Sequence, residues 1–242
     1  MNILKSDKTT VGGWIQTGSV IIADIMAGSN CFDWICIDLE HGPISIESVA
    51  NLVTVISSHC VAPIVRVPEN DYKWIGRSLD AGAQGIIVPM VNNVEQAESA
   101  VRYTKYPPKG MRGFGYSHCN GYGRTFKDYI KNANNNISLV VQIEHSIAMD
   151  NLYSILRVDG VDGSFIGPLD LKGSIDINMD DMLFDKYMRR YLDMCKDAGS
   201  PAGIHIVEPN KILLQAAVVE GYRMIAVGTD AVLLRLGMDS VL

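Results

Sequence analysis

Short β-branched runs alternate with amphipathic segments along this whole chain, and that rhythm leaves very few folds open to it. Apolar runs predict strands over Val11–Ile15, Trp34–Glu40, Pro63–Val67, Gly85–Pro89, Leu139–Glu144, Gly163–Gly167, Ala202–Ile206 and Met224–Gly228. Most are continuously apolar, as parallel strands covered on both faces are. Helical periodicity predicts helices over Val20–Ala27, Ile46–Ser57, Tyr72–Ala81, Val94–Tyr103, Ala148–Leu156, Leu183–Ala198 and Pro209–Val219. Gly82, Gly199 and Gly221 stand just past three helix ends, where a left-handed residue is wanted. Pro209 suits a first helical turn, where its missing N–H costs nothing. A strand–helix unit repeated eight times within 242 residues predicts an α/β fold, one (β/α)8 TIM barrel spanning 1–242. An open doubly wound sheet is the alternative, and eight strands in one chain favour closure. Pro107–Gly123, rich in glycine and aromatics, breaks the rhythm. It reads as a long connection after the fourth strand that carries function or covers a site.

Composition narrows the partners. The formal charge of −6 offers no general attraction to nucleic acid or to anionic lipid. No stretch approaches the roughly 18 apolar residues of a membrane span, and the first residues have no apolar signal region. The five cysteines include no C-x-x-C pair and form no Cys/His cluster, which argues against a disulfide framework or a zinc site. Cys36, between Ile35 and Ile37, reads as a buried, inert thiol. A reducing cytoplasm is the expected compartment.

Four of the apolar runs end in residues suited to holding and enolising a 2-oxo acid. Glu144 and Asp170 follow the fifth and sixth runs and would point into a barrel mouth. Two hard oxygens with no Cys or His beside them suit Mg²⁺ or Mn²⁺. They also read as surface carboxylates answering helix N-termini. Gln142 shares a strand face with Glu144 and is placed to hold a ligand water or a carboxylate. Arg66 ends the third run and needs an anion, either a substrate carboxylate or a structural partner such as Asp38 or Glu40. His41, beside two acids and before Gly42-Pro43, is the candidate general base, with a nearby carboxylate to fix its tautomer. The other histidines carry less: His59 on a helix end, His145 and His205 as rim residues, His118 in the long loop. No lysine lies inside a strand; Lys172 is the nearest one for a Schiff base. Gly167 and Gly228 could admit an anion to backbone N–H groups, or serve turns.

These residues carry a resemblance. Phe32 to Pro43, Leu79 to Val91, Tyr106 to Gly113, Gln142-Ile143-Glu144 and Phe165 to Leu171 are similar, in order, to the HpcH/HpaI class II pyruvate aldolases. The likeness runs from about Gly13 to Gly237. It implies a barrel of the phosphoenolpyruvate/pyruvate type that is dependent on a divalent cation (Mg²⁺, Mn²⁺ or Co²⁺). It implies that Glu144 and Asp170 bind the metal, Arg66 the pyruvyl group, and His41 acts as base with Asp38 orienting it. Asp80 stands where the family reaches towards a neighbouring subunit's active site, which implies a homo-oligomer, a hexamer or trimer. Leu169 stands where the family often has a small residue whose backbone N–H meets the substrate carboxylate. Lys172 and His145 depart from the family pattern. The oligomerisation segment near 231–242 is expected to be short.

The expected reaction is the reversible aldol cleavage of a 4-hydroxy-2-oxo acid to pyruvate, or a close 2-oxo acid, plus an aldehyde. Tyr116, His118, Tyr122, Arg124, Lys172 and Leu169 are expected on the aldehyde side. Two alternatives keep the fold. One is an acyl-CoA lyase of the malyl- or citramalyl-CoA type, which wants basic residues such as Lys109, Arg112 and Arg124. The other is a non-catalytic barrel that binds keto acids.

Overall fold

A strand that pleats turns its residues alternately inward and outward, and here the alternation sorts one apolar sequence into two cores. The computed structural model describes residues 8–241. Its strands are β1 (Thr10–Ile15), β2 (Trp34–Asp38), β3 (Ala62–Arg66), β4 (Gly85–Val88), β5 (Ser138–Ile143), β6 (Gly163–Ile166), β7 (Ala202–Ile206) and β8 (Met224–Thr229). All pair in parallel and close in sequence order into one eight-stranded barrel, β8 returning to β1. Inside the barrel, Trp14, Trp34, Ile64, Val140, Phe165 and Met224 belong to one buried cluster. The residues of opposite parity, such as Ile15, Ile35, Val65, Ile143 and Ile166, pack outward into the helical layer. Room for the large lumen rings comes from glycine. A Cβ on Gly12 would run into the Trp34 indole, and one on Gly203 into Phe165.

The surrounding helices are α1 (Val20–Gly28), α2 (Ile46–Ser58), α3 (Tyr72–Asp80), α4 (Val94–Thr104), α5 (Phe126–Asn136), α6 (Ser146–Leu156), α7 (Pro168–Ile175), α8 (Asp181–Ala198), α9 (Lys211–Glu220) and α10 (Asp230–Asp239). All eight expected strands form, with ends shifted by at most two residues. β2 stops at Asp38 because the Asp38 carboxylate takes the N–H groups of Glu40 and His41 and turns the chain. Gly82, Gly199 and Gly221 have φ of 100°, 66° and 103°, as their places past helix ends require. Pro209 does not open its helix. Asn210 caps α9 by accepting from the Ile212 N–H, so the proline lies one residue outside.

Three helices were not expected. α5 buries only Ala133 and so shows no apolar stripe to read. α7 begins directly after the expected end of a strand, with Pro168 at its first turn. α10 lies in the segment expected to serve oligomerisation, and it packs on β1 and β8 of its own barrel.

The glycine-rich connection, expected to carry function or cover a site, is placed differently. It follows α4, so it leaves from the end of the barrel opposite the strand C-termini. It lies along the outside of α2 and α3. Arg112 pairs with Asp80 at 2.9 Å, and His118 Nε2 meets Thr54 Oγ1 at 3.1 Å. None of its residues lines the mouth. Cys36 is buried in the lumen, where burial pushes its thiol well above the ordinary pKa, so it is inert. Among the described residues, no helix is long and apolar enough to cross a membrane.

Candidate active site

Continuing the inward face of the strands past the apolar layer leads to polar residues. Asp38 ends β2, Arg66 ends β3, Gln142 and Glu144 follow Val140, and His205 follows Gly203. They converge at the strand C-termini, where a cavity of about 610 Å³ opens. Its wall includes Trp14, Gln16, His41, Arg66, Gln142 and Asp170. A groove of about 360 Å³ lies elsewhere, between α5 and the turn after α3, and holds no comparable set of groups.

A chain of hydrogen bonds fixes one side of the mouth. Asp230, buried at the start of α10, accepts from the Gln16 N–H at 2.9 Å. Gln16 Nε2 donates to Asp38 Oδ2 at 2.9 Å. Arg66 grips the same carboxylate through Nε and Nη2, and its Nη1 lies 2.9 Å from Glu40 Oε2. Burial alone would raise the Asp38 pKa. The Arg66 guanidinium, with Gln16 and the His41 N–H, outweighs burial and holds the carboxyl below its ordinary value. The structural partners expected for Arg66 are therefore both present. The guanidinium still lines the cavity over the Trp14 ring, 5.2 Å from its centroid, with N–H groups beyond those taken by Asp38.

Glu144 sits in a second buried cluster. Its Oε1 accepts from the Met90 N–H at 2.7 Å and its Oε2 from Gln142 Nε2 at 2.6 Å. Met90 adopts φ 53°, a left-handed conformation that few non-glycine residues take. Burial pushes the Glu144 carboxyl up to about 7; the Met90 N–H opposes this, and the Glu40 and Asp170 carboxylates add to it. Glu40 is raised as well, by burial and by Asp38 and Asp170 against the pull of Arg66. Asp170 lies in the first turn of α7, exposed and on the cavity wall.

Asp38, Glu40, Glu144 and Asp170 thus face a single guanidinium. The Gln142 Oε1 beside them is buried without a partner among the described residues. Hard oxygens in excess of positive charge, with an unsatisfied acceptor among them, fit a divalent cation of the Mg²⁺ type. Among the described residues no group of three or more His, Cys, Asp or Glu side chains is arranged to hold a metal. A cation held by Glu144 and Asp170 would take its remaining ligands from outside the chain.

The other expected site residues fall in different places. His41 is exposed on the turn after β2 and lines the cavity. Asp38 holds its backbone N–H at 3.2 Å rather than its imidazole, so Asp38 fixes the turn and not the tautomer. The Gly167 N–H is taken by the Ile143 carbonyl at 3.0 Å and cannot receive an anion. What Gly167 supplies is space, since a Cβ there would stand 3.2 Å from Glu144 Oε2. Leu169 is 72% exposed at the cavity edge, in a helical turn whose first N–H groups have no acceptor within the helix. Asp80 ends α3 on the outside of the barrel, paired with Arg112. Lys172 binds Asp181 at 2.8 Å, and among the described residues no lysine lines the cavity. Tyr116, His118, Tyr122 and Arg124 lie with the outer loop, away from the mouth. Sequence reasoning overlooked Trp14 and Gln16, and it placed His205 on the rim. Strand parity was the available signal: Ile204 and Ile206 face the helices, so His205 must face in.

Residues 11–236 match the family described as HpcH/HpaI aldolase/citrate lyase. The chain belongs to that family. Among curated proteins it is similar to the 2-keto-3-deoxy-L-rhamnonate aldolase of Salmonella gallinarum (strain 287/91 / NCTC 13346), at 35% identity over 98% of this chain and 89% of that protein. Among solved structures it is similar to an HpcH/HpaI aldolase/citrate lyase family protein from Burkholderia cenocepacia J2315. The TM-score there is 0.90, at 32% identity, over 99% of this chain and 95% of the other. An HpcH/HpaI aldolase from Desulfitobacterium hafniense DCB-2 also gives 0.90, at 27% identity, over 98% and 93%. The chain is thus an aldolase, a carbon–carbon lyase, and the non-catalytic reading falls.

Proposed function

We propose that this HpcH/HpaI aldolase cleaves, reversibly, a 4-hydroxy-2-oxo acid of the 2-keto-3-deoxy sugar acid type to pyruvate and an aldehyde, with a divalent cation bound. One observation carries the reading: the desolvated Glu144 carboxylate feels the charges of Glu40, Asp170 and the buried Arg66 guanidinium, and Asp170 and Arg66 line one cavity. Glu144 and Asp170 would hold the cation, which when bound supplies Lewis-acid stabilisation of an enolate.

The chain's own residues do the rest. Arg66, kept rigid by Asp38 and Glu40, presents its remaining N–H groups to the oxygens of the 2-oxo acid. It meets charge that develops there without having to reorganise. Trp14 and Phe165 form apolar wall around the three-carbon unit and keep water from it. His41, held on its turn by the Asp38 carboxylate, takes the proton from the C4 hydroxyl as the C3–C4 bond breaks. Leu169 and the open side of the cavity face the departing aldehyde.

The acyl-CoA reading loses its footing. It needs basic residues at the mouth, whereas Arg112 is buried on the outside against Asp80, and neither Lys109 nor Arg124 lines the cavity. The proposal keeps the homo-oligomer, a hexamer or trimer, in which Asp80 would face a neighbouring subunit. The exposed Leu234, Met238 and Val241 of the C-terminal segment are surface for such contacts.

The test is pyruvate release from 2-keto-3-deoxy-L-rhamnonate, followed by a coupled lactate dehydrogenase assay with and without a chelator. Release that stops on chelation and returns with Mn²⁺ or Mg²⁺ is the expected result. No release from this or any other 4-hydroxy-2-oxo acid would overturn the proposal.

A further inference from the structure

Gln16 follows β1 and lines the mouth cavity, yet the reaction as proposed gives it no task beyond holding Asp38. Its backbone is fixed. Its N–H donates to Asp230 Oδ1 at 2.9 Å, and the next N–H, of Thr17, donates to Oδ2 of the same carboxylate at 3.1 Å. Its side chain is fixed too, since Nε2 donates to Asp38 Oδ2 at 2.9 Å. Against burial, Arg66 and the Gln16 amide hold the Asp38 carboxyl below its ordinary pKa, so it is ionised and only accepts. The amide nitrogen must therefore face Asp38, and the planarity of the amide turns Oε1 away from it. Among the described residues nothing donates to Oε1.

Position decides what this acceptor can meet. In the closed order β1 stands opposite β5, which carries Glu144 just past its end, and the Gln16 amide is tied to β2. Oε1 is therefore not placed to ligate a cation held by Glu144. Nor can it serve the carboxylate or keto oxygens of the 2-oxo acid, which need donors. Its neighbour is His41. A Cβ on Gly42 would stand 2.9 Å from the Gln16 carbonyl oxygen and 3.3 Å from its Cα, so the turn that carries His41 lies against Gln16. Both residues line the same cavity. His41 meets the C4 hydroxyl, and the group beside it on the wall meets the substituent of the next carbon, C5.

We propose that Gln16 is a specificity-determining residue whose Oε1 accepts from a hydroxyl on C5, selecting 4,5-dihydroxy-2-oxo acids over 4-hydroxy-2-oxo acids with a methylene there. In the synthetic direction the same contact selects 2-hydroxyaldehydes. The acceptor is already oriented by Asp38 and Asp230, so little further ordering accompanies the contact. A methylene at C5 displaces water from Oε1 and offers no donor in return. Gln16 is half-buried, which keeps the preference to that of one hydrogen bond in a partly wet site, about fivefold to tenfold. This inference rests on the aldolase reading of the mouth and names the residue that reads C5.

The test compares pyruvate release from 2-keto-3-deoxy-L-rhamnonate, a 4,5-dihydroxy-2-oxohexanoate, with release from 4-hydroxy-2-oxohexanoate of the same C4 configuration. The two differ only at C5. kcat/KM is measured on both with Mg²⁺ present, for the full unaltered chain, Gln16→Met and Gln16→Ser. The unaltered protein is expected to favour the dihydroxy substrate by about fivefold or more. Gln16→Met keeps the length without the acceptor, and the Gln16→Ser hydroxyl is too short to reach. Both should bring the two values within about twofold. Loss of the Asp38 contact slows both substrates by a common factor, which the ratio cancels. Equal values in the unaltered protein, or a preference that either folded variant keeps, would overturn the assignment. The former decides the matter even if neither variant folds. Cleavage of both substrates at equal rates removes this assignment and leaves the aldolase reading standing, whereas cleavage of neither removes the aldolase reading itself.

Discussion

Arg66 meets Asp38 through two parallel hydrogen bonds, Nε to Oδ1 at 2.9 Å and Nη2 to Oδ2 at 2.7 Å, where the Asp38 side chain has no exposed surface. Removing one member of a buried pair leaves the other charge without compensation. Asp38→Ala should therefore cost about 3–5 kcal/mol of stability in addition to activity. Arg66→Lys cannot reproduce the fork and should lower kcat/KM even where the protein stays folded. Urea denaturation of both variants checks this. An Asp38→Ala protein as stable as the original would refute the account of the pair.

Gly167 tests the metal assignment without touching a proposed ligand. Its φ of −100° suits any residue, so alanine brings no backbone strain. The added Cβ would stand 3.0 Å from the Glu144 Cβ and 3.2 Å from its Oε2. Gly167→Ala should weaken Mn²⁺ binding by about 10–100-fold, the range found when groups supporting a metal ligand are disturbed. Titration followed by electron paramagnetic resonance reads the change.

The Glu144 carboxyl gives a pH dependence whose sign can be worked out. Burial, with the Glu40 and Asp170 carboxylates adding to it against the Met90 N–H, raises it from 4.5 to about 7 in the folded chain. Between those values the folded protein holds a proton that the unfolded chain has lost. Stability from this group is complete below 4.5 and is lost as pH rises through about 7. His205, lowered to about 4, acts in the opposite direction over neighbouring pH, so total stability hides the effect. The difference between the unaltered protein and Glu144→Gln isolates it. Without divalent cation, that difference should move against the unaltered protein by up to about 1.4 kcal/mol per pH unit between roughly pH 5 and 7. Mn²⁺ should abolish the trend, and a flat difference without metal would contradict the burial argument.

Lys172 offers a control for imine chemistry. Its partner Asp181 is 94% exposed on the side-chain scale, so the pair contributes little to stability. Lys172→Ala should keep kcat within about threefold and cost under about 1 kcal/mol. Borohydride treatment with pyruvate should label neither protein, as mass spectrometry of the intact chains would show.

The barrel was legible because its signal is local and repeated. Most strands are continuous apolar runs, and the glycines at 82, 199 and 221 mark helix ends. The helices that escaped notice are those whose burial is slight, as in α5 with only Ala133, or whose start runs on from a strand, as in α7. Arg66, His41, Gln142 and Asp170 were legible for a second local reason: each stands at or just beyond a strand end. The failures came from relations between distant segments. The glycine-rich connection comes after the helix that the sequence places over Val94–Tyr103, but what it packs against, with Arg112 on Asp80 and His118 on Thr54, joins residues far apart in the chain. The use of the Gly167 N–H by Ile143, and of Asp38 by Arg66 and Gln16, depends on strand register, which no single run of residues encodes. His205 is intermediate. Its neighbours Ile204 and Ile206 reveal its face, but its stacking on Trp14 joins the two ends of the chain.

The central claim is that carboxylates in a barrel mouth hold a divalent cation and make C3 of a 2-oxo acid a nucleophile. Incubation with pyruvate in D₂O, followed by NMR of the methyl signal, tests it without any aldehyde. The account predicts loss of that signal with Mg²⁺ or Mn²⁺, none with chelator, and none for Glu144→Ala. Exchange that survives chelation, with borohydride trapping a lysine adduct, would contradict it.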